Sequence, residues 1–204
     1  MKPIETIMRT APVIPVLVIE DVEHAVPVAT ALVAGGLRVL EVTLRTPAGL
    51  EAIRAMKGVE GAIVGAGTVT NPDELKASID AGAEFIVSPG LTPRLGEAAI
   101  ASGIPFLPGT ANAADIMLGL DLGLSHFKFF PAATSGGLPA LKALAGPFHT
   151  AKFCPTGGVT QASASDWLAF DPVLCVGGSW LVAKGEPDVV AIEAAARAAA
   201  TLAR

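Results

Sequence analysis

Cysteine is scarce in this chain, and long apolar runs and clusters of basic residues do not occur. The two cysteines, Cys154 and Cys175, lie inside apolar stretches, and neither their number nor their spacing fits a zinc site or a disulfide framework. No run of eighteen apolar residues occurs, so we expect no membrane span. With a net charge of −5 and no Lys/Arg cluster, the chain is a poor candidate for binding nucleic acid.

Histidine is also sparse, and the three histidines are too scattered to form a metal-ligand pair on one predicted helix. The apolar run at residues 12–19 follows a weakly basic start, as in a signal peptide. It is, however, interrupted by Pro15, lacks a small-residue cleavage site and is followed at once by Glu20 and Asp21. We interpret this run as the first buried strand and expect a cytoplasmic protein.

Short apolar stretches alternate with Ala-rich stretches about every 20–25 residues, which is typical of strand–helix units around a parallel sheet. Asn71-Pro72 and Thr92-Pro93 look like helix starts, and we also predict a lead-in helix at 2–9 and a final helix at 187–203. The predicted strands are 13–18, 37–42, 62–66, 84–87, 104–107, 126–129, 151–154 and 173–176.

Eight strand–helix units in 204 residues predict an α/β fold, namely a single compact (β/α)₈ TIM barrel with a short N-terminal helix. Residues 1–204 are then one domain. The alternative is an open, doubly wound parallel sheet. Even spacing without a long insertion favours the closed barrel.

Lys128 lies in the middle of the apolar strand predicted at 126–129. Lysine is rarely buried unless it is paired or functional. Removal of an ammonium from water favours its neutral form, and a neutral amine can form a Schiff base with a carbonyl substrate. The alternative is a lysine at a strand end whose amine extends into solvent.

The strand predicted at 37–42 has one apolar face, which continues to Leu44, and one face that carries Glu41, Thr43 and Arg45. Because the apolar face must meet the helices, the polar face should line the barrel interior and its carboxyl-end mouth, where active sites of this fold lie. Glu41 then either forms only a salt bridge with Arg45, or acts as a base beside a cation that holds an anionic group.

Paired glycines follow the last two predicted strands, at 157–158 and 177–178. Such turns let backbone N–H groups approach an anion, and the loops after strands seven and eight of a barrel often bind phosphate. The glycine-containing turns at 65–68 and 88–90 are weak motifs, because no phosphate-loop or dinucleotide fingerprint surrounds them.

Six motifs in this order resemble the 2-keto-3-deoxy-6-phosphogluconate (KDPG) aldolase family, also called 4-hydroxy-2-oxoglutarate (KHG) aldolases. The resemblance extends from about residue 5 to the end, with no departure at the motif positions. The motifs are EVTLRT at 41–46, GAGT at 65–68, SPG at 88–90, FKFFPA at 127–132, FCPTGG at 153–158 and GGSW at 177–180.

The resemblance implies a class I, metal-independent aldolase that is a homotrimer, needs no cofactor and takes a small 2-keto acid, phosphorylated or not, as substrate. It implies that Lys128 forms the Schiff base and that Glu41 is the general acid/base. The substrate-binding residues that it implies are Arg45 and Thr68 for the pyruvate carboxylate, Pro89, Phe130 and Thr156 around pyruvate, and Gly157, Gly158, Gly178 and Ser179 for the phosphate.

Two other functions would also use phosphate-binding loops. One is a sugar-phosphate epimerase or isomerase, which gives Lys128 no covalent role. The other is a catalytically silent sugar-phosphate-binding or scaffold protein, which needs neither Lys128 nor Glu41 at the same rim. The presence of both residues favours the aldolase.

Overall fold

The computed structural model describes residues 2–203, along which strands and helices alternate. The strands are β1 Val13–Leu17, β2 Val39–Thr43, β3 Ile63–Gly67, β4 Ile86–Val87, β5 Phe106–Leu107, β6 Gly109–Thr110, β7 His126–Phe129, β8 Lys152–Pro155 and β9 Val176–Gly178. The helices are α1 Pro3–Thr10, α2 Ala25–Ala34, α3 Gly49–Met56, α4 Pro72–Asp80, α5 Pro93–Ser102, α6 Ala113–Asp121, α7 Gly137–Ala145, α8 Ala164–Leu168 and α9 Val189–Ala200. No helix within this range is both long and apolar enough to cross a membrane.

Side-chain caps explain why two helices begin where the sequence predicted. The Asn71 side chain accepts hydrogen bonds from the N–H groups of Asp73 and Glu74 at the start of α4. The Thr92 hydroxyl accepts from the N–H of Leu95 at the start of α5. In both helices proline occupies the first turn, where its missing N–H leaves no bond unmade.

All paired strands are parallel and form two sheets within residues 2–203. The larger sheet has the order β5-β4-β3-β2-β1-β9, and the smaller one has the order β6-β7-β8. Single bridges, Phe153 to Val173 and Thr156 to Gly177, connect β8 to the chain around β9. The predicted parallel α/β fold is therefore confirmed, and the curled sheet is TIM barrel-like.

Several predicted strands differ in their bounds from those observed, and the two largest differences concern the fifth and the last. Of the strand predicted at 104–107 only β5 at 106–107 is observed, and a separate strand, β6, follows Pro108, which has no N–H to donate to a ladder. The Pro108 carbonyl still accepts from the Lys128 N–H at 2.8 Å, so the chain passes from one sheet to the other there. The last strand, predicted at 173–176, is β9 at 176–178, because residues 173–175 pair through a single bridge only.

The strands bury apolar side chains on both faces. Leu40 and Val42 of β2 belong to the core between strands and helices, as the sequence predicted. On the other face Val39 belongs to a second apolar cluster, which residues of several strands form with Ile7 and Met8 of α1. The lead-in helix thus packs against this face of the strands.

His126 begins β7 close to Glu5 of α1 and is buried. Its Nδ1 lies 3.1 Å from the Ser125 hydroxyl oxygen. Its Nε2 lies 3.6 Å from Glu5 Oε2, too far for a hydrogen bond, and has no hydrogen-bond partner among residues 2–203. Burial lowers the pKa of His126, and the Glu5 carboxylate opposes this only in part.

Folding stability should therefore depend on pH through His126. Because the folded-state pKa lies below the ordinary value of 6.5, the unfolded chain takes up a proton more readily than the folded protein. The stabilisation is complete above that ordinary value and is lost as the pH falls below it. We expect the urea-unfolding free energy to decrease between pH 7 and about 5.5, and His126→Asn to reduce that decrease. His149→Asn, at an exposed histidine, is the control, and an unchanged pH dependence in His126→Asn would contradict the assignment.

Candidate active site

A cavity of about 380 Å³ opens at the carboxyl ends of the strands. All predicted site residues except Glu41 and Gly178 line it. Glu41 contacts the lining residue Lys128, and Gly178 lies against the indole of Trp180. The lining residues are Val16, Arg45, Thr68, Pro89, Lys128, Phe130, Thr156, Gly157, Gly158, Val159, Gly177 and Ser179.

An ion pair between Lys128 and Glu41 forms the floor of this cavity. Lys128 Nζ donates to Glu41 Oε1 at 3.0 Å, and each residue is only 3% exposed. The Phe130 ring lies beside the amine, with its centre 5.2 Å from Nζ. A lysine that extends into solvent is therefore excluded, because the amine lies inside the protein.

The strand registers bring these two charges together across the interior. Glu41 is in register with Val16 of β1 and Gly65 of β3, whereas Lys128 is in register with Gly109 of β6. At Gly65 and Gly109 the missing side chains leave space that the Phe85 ring and the Pro89 backbone occupy. The alternative in which Glu41 pairs with Arg45 is wrong, because the cation that contacts Glu41 is Lys128.

Arg45 and Thr68 lie on the turns after β2 and β3. Arg45 is exposed at the cavity and forms no ion pair within residues 2–203. Its charge is thus available to an anion. Thr68 has φ 64°, a left-handed conformation that is uncommon for any residue with a Cβ and strained for a β-branched one. Strain of this kind is found most often at functional sites. Thr43, on the same face, is not part of the cavity lining, because its hydroxyl donates to the Leu17 carbonyl.

The two paired-glycine turns lie side by side, as the bridge between Thr156 and Gly177 requires. Gly157 and Gly158 have φ of 93° and 79°, which favour glycine and turn the chain sharply at the mouth. The Gly157 carbonyl accepts from the Ala133 N–H at 2.9 Å, which ties this turn to the loop after β7. Ser179 is exposed at the edge of the cavity.

Three lining residues, Val16, Val159 and Gly177, were not among the predicted site residues. Val16 lies in β1, where every residue is buried, so no alternation distinguishes the inner face. Gly177 belongs to the recognised glycine pair, which was the signal available in the sequence, and in the structure it lies against the buried Thr156 side chain. Within residues 2–203, no group of His, Cys, Asp or Glu side chains is arranged to hold a metal ion.

The chain and its fold have close counterparts among known proteins. A family model for KDPG and KHG aldolases matches residues 4–195, and the chain belongs to this family. A 2-dehydro-3-deoxy-phosphogluconate aldolase from Zymomonas mobilis is 60% identical over 100% of this chain and 98% of its own length. A KHG/KDPG aldolase from Escherichia coli K12 is 57% identical over 87% of this chain and 84% of its own.

A solved structure of KDPG aldolase from Legionella pneumophila has the same fold. It covers 97% of this chain and 98% of its own, with 42% identity and a TM-score of 0.94. In that protein, pyruvate was captured at low pH as a covalent carbinolamine intermediate.

Loss of either charge of the buried pair of Lys128 and Glu41 should lower the free energy of unfolding of the protein. Lys128→Met leaves the Glu41 carboxylate buried without its cation, which should cost about 3–5 kcal/mol. Addition of Glu41→Gln removes the unpaired charge, so the double variant should regain part of the loss. Urea unfolding at neutral pH measures both. A double variant no more stable than Lys128→Met would show that the carboxylate is stabilised by other groups.

Proposed function

We propose that this chain is a class I aldolase that cleaves KDPG to pyruvate and glyceraldehyde 3-phosphate, and KHG to pyruvate and glyoxylate. The observation that carries the proposal is the Lys128 amine, buried at the floor of a cavity and 3.0 Å from the carboxylate of Glu41. Family membership gives the reaction class, and the relatives' names give the substrates. A sugar-phosphate isomerase or a silent binding protein has no use for such a pair.

The reaction begins at Lys128. Glu41 Oε1 is within hydrogen-bond distance of Nζ, so the carboxylate can take the proton that must leave the ammonium. The free amine attacks the C2 ketone of the substrate and forms a carbinolamine. Loss of water, assisted by a proton from Glu41, gives the iminium ion.

The iminium ion then accepts the electrons of the C3–C4 bond. Glu41, directly or through a water, takes the C4 hydroxyl proton as this bond breaks, and the aldehyde leaves. The remaining enamine is protonated at C3, and water releases pyruvate and the free amine of Lys128. One carboxylate beside one amine can serve every proton transfer in this sequence.

Different residues of the cavity bind the carboxylate end and the phosphate end of the substrate. Arg45, which forms no ion pair with any residue from 2 to 203, holds the C1 carboxylate, with Thr68 beside it. The pyruvate portion packs against Pro89, Phe130 and Thr156, and the phosphate lies on the N–H groups of Gly157 and Gly158 and on the Ser179 hydroxyl. Gly178, which precedes Ser179 but does not line the cavity, is the further phosphate contact that the resemblance implies.

The whole of residues 1–204 forms one closed (β/α)₈ barrel domain in this proposal. The single bridges between β8 and β9 and the passage of the chain from β5 to β6 support closure of the two sheets into one barrel. One cooperative unfolding transition would test the single domain. The homotrimer and the cytoplasmic location stay predictions, and light scattering of the purified chain would test the first.

Catalysis should be independent of added metal. We expect the purified chain to release pyruvate from KDPG after exhaustive EDTA treatment, measured by coupling to lactate dehydrogenase and NADH oxidation. Lys128→Met should abolish the activity, whereas Lys152→Met, at the partly exposed lysine that pairs with Asp171, should retain it. Loss of activity in EDTA that a divalent metal restores would contradict the imine mechanism.

Glu41 and Arg45 should differ in the kind of defect that their loss causes. Glu41→Gln keeps the shape but cannot accept a proton, so kcat should fall by about 10²–10⁴. Arg45→Ala should mainly raise KM, because it removes a charge-assisted contact to the carboxylate. Steady-state kinetics separate the two effects. A Glu41→Gln enzyme with near-normal kcat and a raised KM would leave Glu41 with a structural role alone.

Ser179 should distinguish the phosphorylated substrate. Ser179→Asp introduces a charge that repels the phosphate and removes a donor, so KM for KDPG should rise strongly. Cleavage of KHG, which has no phosphate, should change much less, and Ser179→Ala should show the donor loss alone. Equal damage to both substrates would place the phosphate elsewhere in the cavity.

A further inference from the structure

Gly67 ends β3 directly against the side chain of Glu41. A Cβ atom at this position would lie 2.6 Å from Glu41 Cγ and 2.8 Å from Cδ, and closer still to Oε1. Contacts below 3.0 Å essentially never occur for a real Cβ. The Glu41 side chain therefore occupies the space that any other residue at position 67 would fill.

Backbone conformation does not explain this glycine. Thr68, the next residue, has a positive φ, whereas Gly67 keeps the extended conformation of a strand and is in register with Thr43. An alanine could adopt the same φ and ψ. An alanine Cβ would, however, collide with Cγ and Cδ of Glu41, which are less free to move than the carboxylate oxygens.

Three further neighbours of Glu41 define where its carboxylate lies. Below it, the position of Gly65 is covered by the Phe85 ring, and to one side lies Val16 of β1. Lys128 Nζ lies 3.0 Å from Glu41 Oε1. Movement away from Gly67 would therefore change the contact between carboxylate and amine.

We propose that Gly67 is a positioning residue that sets the carboxylate of Glu41 against the Lys128 amine. This inference rests on the proposed acid/base role of Glu41. Gly67→Ala should displace the carboxylate while Arg45 and the phosphate turns stay in place. We expect kcat for KDPG cleavage to fall by about 10² or more, the lower end of the worth of an acid/base group, and KM to change less than threefold or so.

A double-mutant cycle separates this role from general damage. In a Glu41→Ala background the side chain that Gly67 accommodates is gone, so Gly67→Ala should cause no further loss in single-turnover cleavage. The urea midpoint gives a second readout: Gly67→Ala should lower it in the parent protein and lower it less in the Glu41→Ala background. Gly58→Ala is the matched control, at an exposed glycine with only an ordinary van der Waals contact.

The outcomes distinguish the inference from the proposed function. Equal, additive losses of rate and of urea midpoint in both backgrounds would overturn the positioning role. An unfolded Gly67→Ala with a folded double variant would support it, because removal of the obstruction restores folding. If Glu41→Ala retained full kcat, the acid/base proposal would fail. The urea cycle would then still decide whether Gly67 sets the position of Glu41.

Discussion

The contact between Lys128 and Glu41 is the interaction on which the site depends. Two opposite charges lie 3.0 Å apart, and each residue is only 3% exposed. Burial of a charge is strongly unfavourable unless its partner is close and well oriented. The fold must therefore supply that orientation, and it does so from β2 and β7, two strands in different sheets.

Several features of the chain serve this placement. The helix α1 packs Ile7 and Met8 against the strands on the side opposite the cavity. Near the carboxyl ends of the strands, Gly157 and Gly158 turn the chain at positive φ, whereas Gly67 and Gly177 leave room for neighbouring side chains. A side chain at Gly67 would strike Glu41, and one at Gly177 would strike the methyl and hydroxyl groups of Thr156.

Much of this could be predicted from the sequence because local periodicity carries it. Alternation along β2 placed Glu41 inside and Leu40 against the helices, as observed. A lysine in an apolar strand was recognisable as unusual, and Lys128 is buried. Apolar runs indicated where most strands lie, and Asn71, Thr92 and the prolines after them indicated where α4 and α5 begin.

The rest depends on contacts between residues distant in sequence. Lys128 and Glu41 are 87 positions apart, and alternation alone suggested Arg45 as the partner of Glu41. Val16 gave no signal because all of β1 is buried. Gly67 gave no signal because its effect is to leave space for the Glu41 side chain, which only the folded structure shows. The resemblance to the aldolase family supplied the substrates, which no pattern of residues in this chain could name.

The central claim is that Lys128 carries the covalent intermediate. Incubation with pyruvate, reduction with borohydride, digestion and mass spectrometry would locate the trapped adduct on a peptide. We predict modification of Lys128 alone, because its amine is at the floor of the cavity beside Glu41. An adduct at Lys152, or no adduct in a chain that cleaves KDPG, would contradict the account.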